Sequence, residues 1–243
     1  MNNILPPDIK CIVVDPSNKQ SMDIFHNFYY GVYREAFPHE DECESYENFM
    51  GYIQKYGGKE LYVHILIFYN EEDIVGGMVI DHFGKINTLA IEFIVVAKKY
   101  QRQGLATKMI KYTNSYVEQQ HGRKIDWTII EVENPKLVGQ EANANIYFWG
   151  QCHFRAIGFN YIQPALSPTQ KPVEILLLCA YHHHNNATTI SIAHVKTFLQ
   201  LYSHYAMGID DPLKNPTILQ MFEELDSNDS GNLDLIDIKE FLA

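Results

Sequence analysis

The sequence predicts an α/β protein of the α+β kind: a mixed central sheet with helices on both faces and a small helical extension at the C-terminus. Three observations lead there. Strand-sized apolar runs alternate with amphipathic stretches through roughly three-quarters of the chain. One run, residues 88–96, is apolar at nearly every position, the mark of a strand covered on both faces. After His182-His183-His184-Asn185-Asn186 the texture changes, and two amphipathic stretches surround an Asp/Asn/Ser/Gly cluster.

Taken in order, residues 9–14 read as a strand closed by Asp15-Pro16-Ser17. Residues 21–37 have a helical pattern that Pro38 ends, and residues 45–56 form a second helix stopped by Gly57-Gly58. Two strands, 61–69 and 74–83, are joined by Asn70-Glu71-Glu72-Asp73 as a hairpin. The apolar strand 88–96 is followed by a helix at 104–119 with Gly122 beyond its end. Residues 125–132 read as a strand, 145–157 as a helix closed by Gly158, and 173–181 as a strongly apolar strand. Beyond these, 190–207 and 217–225 read as helices, with a short final helix after the acidic cluster. The expected division is a domain at 1–183 and a helical extension at 184–243.

Composition narrows the function classes. Of 243 residues, 46% are hydrophobic and 20% charged, which suits a globular chain and excludes a largely disordered one. No run approaches the roughly 20 apolar residues that span a bilayer, so no membrane role is expected. The N-terminal residues show neither a basic n-region nor an apolar h-region, so the expectation is no signal peptide and a cytoplasmic location. Cys11, Cys43, Cys152 and Cys179 form no CxxC pair and read as reduced, buried thiols. A formal charge of -11 disfavours nucleic acid as a partner, so an anionic ligand needs a local exception.

That exception is Tyr100-Gln101-Arg102-Gln103-Gly104-Leu105-Ala106, between a buried strand and a helix. A small-residue turn at a helix start leaves backbone N–H groups pointing outward, and with the helix dipole they make an anion site. Residues 98–117 contain no acid, and Lys98, Lys99, Arg102, Lys108 and Lys111 give that window a formal +5. Such a concentration favours a polyanion such as a nucleotide pyrophosphate. The plainer alternative is a glycine turn before a solvated basic helix face.

Ile94-Val95-Val96 followed by Gln101-Arg102-Gln103-Gly104-Leu105-Ala106 resembles motif A of the GNAT acyltransferase superfamily, whose pattern is Arg/Gln-x-x-Gly-x-Gly/Ala. Gly158-Phe159 is similar to the family's second signature, a helix closing in Gly-Phe. The resemblance implies a GNAT-like fold and acetyl-coenzyme A as cosubstrate. Its pantetheine arm would pair with Ile94, Val95 and Val96, and its pyrophosphate would rest on amides from Arg102 to Thr107, with Gln101, Gln103, Gly104, Leu105 and Ala106 completing the cofactor site. Ala106 stands where many members have a second glycine.

Acyl transfer to an amine requires the amine to lose a proton. Glu92 and Glu131 each interrupt an apolar strand, where desolvation raises a carboxyl pKa toward that of a working base. Ile130-Glu131-Val132 resembles the base context of ribosomal-protein-type N-acetyltransferases, and Glu131 is favoured over Glu92 on that ground. A strand-end glutamate partnered by lysine or water is the alternative for both. Many family members carry a tyrosine four residues before the helix-closing glycine as general acid; here that position is Phe154. Tyr161, Tyr147 and His153 are the available substitutes, and Tyr161 is carried forward.

Residues 226–237 resemble an EF-hand calcium loop, with Asp226, Asn228, Ser230, Asn232, Asp234 and Asp237 as oxygen ligands for Ca²⁺ or Mg²⁺ and Gly231 at the sharp turn. Asp237 replaces the usual glutamate, and an acidic turn between two helices is the alternative. Two functions remain open. One is an acetyl-CoA-dependent N-acetyltransferase working by direct transfer to a small-molecule or peptide amine. The other is a catalytically weak, CoA-binding GNAT scaffold acting as a metal-responsive regulatory protein. The acceptor loops expected at 38–45 and 136–144 spell no substrate, and the oligomeric state is open.

Overall fold

The computed structural model describes residues 4–38, 43–55, 60–167 and 169–243. The helix stop expected at Gly57-Gly58 and the middle of the 38–45 loop lie outside those residues. The fold is mixed α/β, as the element order predicts, and it divides into two compact units. The first comprises residues 1–85 and 89–125, the second 86–88 and 126–243.

In the first unit, β1 (Lys10–Val13), β2 (Leu61–Tyr69), β3 (Ile74–Phe83) and β4 (Thr88–Val96) are successive neighbours. β2 is antiparallel to both β1 and β3, with Leu61 opposite Phe83 and Ile65 opposite Val79. The Asn70 side chain closes the β2–β3 hairpin by accepting from the Glu72 and Asp73 amides at 3.0 and 2.8 Å.

Helix α1 (Lys19–Phe28) starts at Asn18, whose side chain accepts from the Ser21 amide. The helix expected over 21–37 instead passes through a π-helical stretch, Tyr29–Tyr33, before α2 (Arg34–Ala36). Helix α3 (Tyr46–Lys55) follows, and α4 (Leu105–His121) ends at left-handed Gly122.

Two glycines set how closely the helices approach this sheet. Successive strand residues point to opposite faces. A Cβ on Gly77 would stand 2.5 Å from the Phe28 ring of α1. One on Gly76 would run into the Val95 carbonyl and come within 3.2 Å of Met109 of α4. α1 and α4 therefore cover opposite faces. On the α1 side, Phe25, Phe28, Tyr33 and Phe49 bury fully against Ile65, Ile67 and Val79.

On the α4 side, the stripe Met109, Thr113, Val117, His121 recurs every fourth residue. Thr113 Oγ1 donates to Met78 Sδ at 3.4 Å, and the His121 ring lies 4.5 Å from that of His82. Burial pushes the His64 imidazole down to about 4 and lowers that of His121 as well, so both rings are neutral at physiological pH.

The second unit orders its strands β5 (Trp127–Glu133), β7 (Leu176–His182), β6 (Arg155–Ile157), β9 (Asn232–Asp237) and β8 (Thr189–Ser191), all neighbours antiparallel. Its helices are α5 (Pro135–Val138), α6 (Asn143–Gln151), α7 (Ile192–Tyr205) and α8 (Pro216–Asp226). Two sequence expectations are corrected here. The helix read over 145–157 stops at Gln151, turns through His153 at φ 66°, and continues as β6, because Ala156 and Ile157 bury between β7 and β9. The final helix is replaced by β9 and a 3₁₀ turn, Ile238–Phe241. Leu233 and Leu235 alternate inward at 3% and 4% exposure, a period of two that the surrounding Asp and Asn residues mask. Residues after 184 are stitched to the rest of this unit through the β6–β9 ladder, and Glu224 Oε1 accepts from the Asn160 amide at 2.9 Å. No helix among the described residues is long and apolar enough to cross a membrane.

Candidate functional site

The segment expected to form the anion cradle lies in the first unit. After β4 a 3₁₀ turn, Lys98–Tyr100, leads to Gln101 in extended conformation, then to Arg102 at φ 64° and Gly104 at φ 71°. Two left-handed residues within three positions curl the backbone, and the non-glycine one is a local strain of the kind that collects at functional sites. Gly104 is the N-cap of α4, offers no side-chain cap, and has no acid in the turn that follows. The N-cap thus has no side chain to occupy the first amides of α4, and a helix start directs such amides outward. A Cβ added at Gly104 would meet nothing within 4 Å, so the space above the turn is open.

The charge of the cradle is smaller than the sequence count. Lys98 pairs with Glu35 at 3.0 Å and Lys99 with Asp73 at 2.7 Å. Arg102, Lys108 and Lys111 remain exposed around the helix start and first turns. Gln101 Nε2 donates to the Val96 carbonyl at 2.9 Å, so one backbone acceptor of the 94–96 segment is already engaged. Leu105 is buried and anchors the helix, while Gln103, Ala106 and Thr107 line the exposed or half-exposed side. The chemistry of this donor set suits a pyrophosphate: a helix start, its dipole and exposed cations.

Glu131 lies in the second unit, on β5 opposite Leu178. Its carboxylate gathers three donors. Tyr161 donates its hydroxyl to Oε1 in a short hydrogen bond. Gln163 Nε2 reaches Oε1 and Oε2 at 3.3 and 3.1 Å, and Tyr202 on α7 donates to Oε2 at 3.3 Å. Burial raises the Glu131 pKa, and the bonds from Tyr161, Tyr202 and Gln163 pull it partly back. The residue as a whole is half-buried.

Glu131 and Tyr161, named separately in the sequence as candidate base and candidate acid, are in direct contact. Gln163 and Tyr202 were not foreseen. Gln163 is fixed by a two-bond bridge to Val173, and Tyr202 is stacked on Phe198 with ring centres 5.1 Å apart. No local pattern announces either, because both are brought in by tertiary packing. Phe154, at the position of the expected general acid, packs at 3% exposure against Trp149 and Tyr181.

Glu92 belongs to the first unit. Its Oε1 is shielded from solvent, and its charge, with those of Glu44 and Asp81, helps to raise the pKa of the half-buried Tyr52 phenol, a shift led by desolvation.

The EF-hand-like loop is not confirmed. Asp226 gives both carboxylate oxygens to Lys196 at 2.8 Å, and Asp237 caps the 3₁₀ turn by accepting from the Lys239 amide at 3.0 Å. Asn228 accepts from the Ser230 amide, Ser230 Oγ donates to the Asn232 carbonyl, and Asn232 and Asp234 lie in β9 opposite β8. These side chains knit the turn itself, and among the described residues no three His, Cys, Asp or Glu groups are arranged to hold a metal ion. The histidine run is structural: His183 bonds Thr128 at 2.8 Å and His184 bonds Asp126 at 3.1 Å.

Residues 22–139, a little under half of the chain, match the acetyltransferase (GNAT) family. No curated protein matches the chain. Among solved structures, a GNAT-family protein from Bacteroides thetaiotaomicron, assigned as an acetyltransferase, is 16% identical with a TM-score of 0.58. The alignment covers 82% of this chain and 99% of that one, and it shows a shared fold. A GNAT acetyltransferase from Elizabethkingia anophelis with acetyl-CoA bound is 15% identical over 73% and 100% of the two chains, with a TM-score of 0.46. An acetyltransferase from Salmonella typhimurium that modifies the N-terminal serine of ribosomal protein L7/L12 is 13% identical over 73% and 96%, with a TM-score of 0.49. The GNAT match contains the cradle, Glu92 and Glu131, whereas Tyr161, Gln163 and Tyr202 lie beyond its end.

Proposed function

We propose that this chain is an acetyl-CoA-dependent N-acetyltransferase that acts by direct transfer to a primary amine of a small molecule or peptide. The observation that carries the reading is the uncapped, left-handed Gly104 start of α4 inside the segment that matches the GNAT family. Acetyl-CoA would rest its pyrophosphate on amides from Arg102 to Thr107, with Arg102, Lys108 and Lys111 as counter-charges. Its thioester supplies an activated acetyl carbonyl.

In this reading Glu131 takes the proton of the acceptor amine, directly or through water. The amine nitrogen then forms a bond to the acetyl carbon, the carbon–sulfur bond breaks, and the electron pair leaves on sulfur. Tyr161, already hydrogen-bonded to Glu131, is assigned to protonate the departing thiolate. A carboxyl raised by burial and restrained by three donors suits a base that must hold a proton briefly and release it. Glu92 is the competing base.

The test is release of free thiol from acetyl-CoA in the presence of a panel of primary amines. Amine-dependent release supports the reading. Tight acetyl-CoA binding with no release on any amine would overturn it.

A further inference from the structure

The second unit holds a cavity of about 400 Å³ where the end of α6 meets β6, β7 and β9. That volume suits a small ligand, whose clefts run from about 300 to 1,000 Å³. The cavity begins on β7 at Ala180, two residues along from the Leu178 that faces Glu131. None of Glu131, Tyr161, Gln163 and Tyr202 lines it, so it is separate from the proposed base and acid.

His153, left-handed at φ 66°, turns the chain from α6 into β6 and brings Arg155 to the wall. Arg155 opposes Ala180 on one side and Asp237 on the other, and residues opposite one another in a ladder share a face. His182, two positions beyond Ala180, shares it as well. Arg155 is half-buried and has no ion pair among the described residues. Asp237 faces it across the ladder but turns Oδ1 to the Lys239 amide at 3.0 Å. A guanidinium and a carboxylate therefore stand in one wall, opposite in sign and not paired with each other.

His182 Nδ1 accepts from the His184 and Asn185 amides at 3.3 and 3.2 Å, so its neutral ring carries the proton on Nε2 as a donor. Phe154, Ala180 and Leu235 are buried and supply an apolar lining. Asp237 would repel a simple anion, and Arg155 a simple cation. A ligand that carries both charges and an apolar group answers every part of the wall.

We propose that this cavity binds a free α-amino acid with an apolar side chain, its carboxylate on Arg155 and His182 and its ammonium on Asp237. A carboxylate is the anion that a guanidinium fork matches with two parallel hydrogen bonds.

The experiment is calorimetry of the full chain with L-leucine, L-methionine and L-phenylalanine, together with histidine ring NMR. At least one of the three should bind, one per chain. Its N-acetyl derivative, which lacks the ammonium, and its amide, which lacks the carboxylate, should each bind at least tenfold more weakly. Arg155→Met keeps the apolar stem and should lose at least tenfold in affinity. In the wild-type chain the His182 ring signal should shift on saturation, a readout that needs no variant to fold. Absence of binding by all three amino acids, equal binding by either derivative, wild-type affinity in a folded Arg155→Met, or an unmoved His182 signal at saturation would each overturn the site.

Discussion

Tyr202 and Glu131 are 71 positions apart and meet through a hydrogen bond of 3.3 Å between the Tyr202 hydroxyl and Glu131 Oε2. Tyr202 belongs to α7, in the part of the chain that the sequence sets aside as an extension, yet it holds the carboxylate on which the proposed chemistry depends. Tyr202→Phe deletes that bond and keeps the ring. Because the bond lowers the carboxyl pKa, its loss should move the acidic limb of the rate profile to higher pH. The stability cost should be about 0.5–1.5 kcal/mol, that of one hydrogen bond. A pH–rate profile identical to wild type would show that Tyr202 does not act on Glu131.

Glu131→Gln should leave acetyl-CoA affinity intact and lower turnover by about 10²-fold or more, the usual weight of a general base. Since burial raises the Glu131 pKa, the protonated, inactive form persists above the ordinary carboxylate range. Wild-type rate should therefore climb with pH through that raised value, and the Gln variant should lose the climb. If Glu92→Gln shows the loss while Glu131→Gln turns over normally, the base lies on β4.

Gly104→Val tests the cradle. The left-handed conformation at φ 71° costs an L-residue roughly 1–2 kcal/mol, and the isopropyl group fills the open space above the turn. A folded protein with acetyl-CoA binding lost is the expected outcome by calorimetry. Unchanged affinity in a folded variant would remove the anion site from this turn.

Gly76→Ala and Gly77→Ala test the packing of the first unit. Gly77→Ala pushes a methyl against the Phe28 ring, which can shift; Gly76→Ala pushes one against the Val95 backbone carbonyl, which cannot. Both should destabilise, by about 1–3 kcal/mol as overpacking does, with Gly76→Ala the worse. Urea denaturation midpoints rank the two, and the reverse order would mean that β4 yields more easily than Phe28.

What the sequence made legible follows from how local each signal is. The β2–β3 hairpin has the bounds expected from its apolar runs and the Asn70 turn, since both signals lie within neighbouring residues. The Gly104 helix start is equally local. β6 and β9 escape a reading of the sequence because a three-residue strand after a helix carries too little period, and because Asp and Asn around Leu233 and Leu235 look like a loop. Gln163, Tyr202, and the meeting of His64 with His121 depend on contacts across dozens of residues, which no spacing rule reaches.

The π-helical stretch Tyr29–Tyr33 has a consequence for insertions and deletions. A π turn accommodates one residue more than an α turn, so everything after it is offset in phase by about 100° relative to an uninterrupted helix. In that offset Tyr33 presents its hydroxyl to the Glu44 amide at 2.9 Å, while Tyr29 donates to the Glu44 carbonyl at 3.0 Å. Excising the exposed Gly31 would remove the extra residue and restore a regular α-helix with Tyr33 still turned toward that amide, whereas excising a residue within Lys19–Phe28 would turn Tyr33 by about 100° relative to the residues before the cut. A chain shortened by one residue inside the π turn would thus keep both phenols on the Glu44 backbone, so this turn is the place where the helix tolerates a change of length.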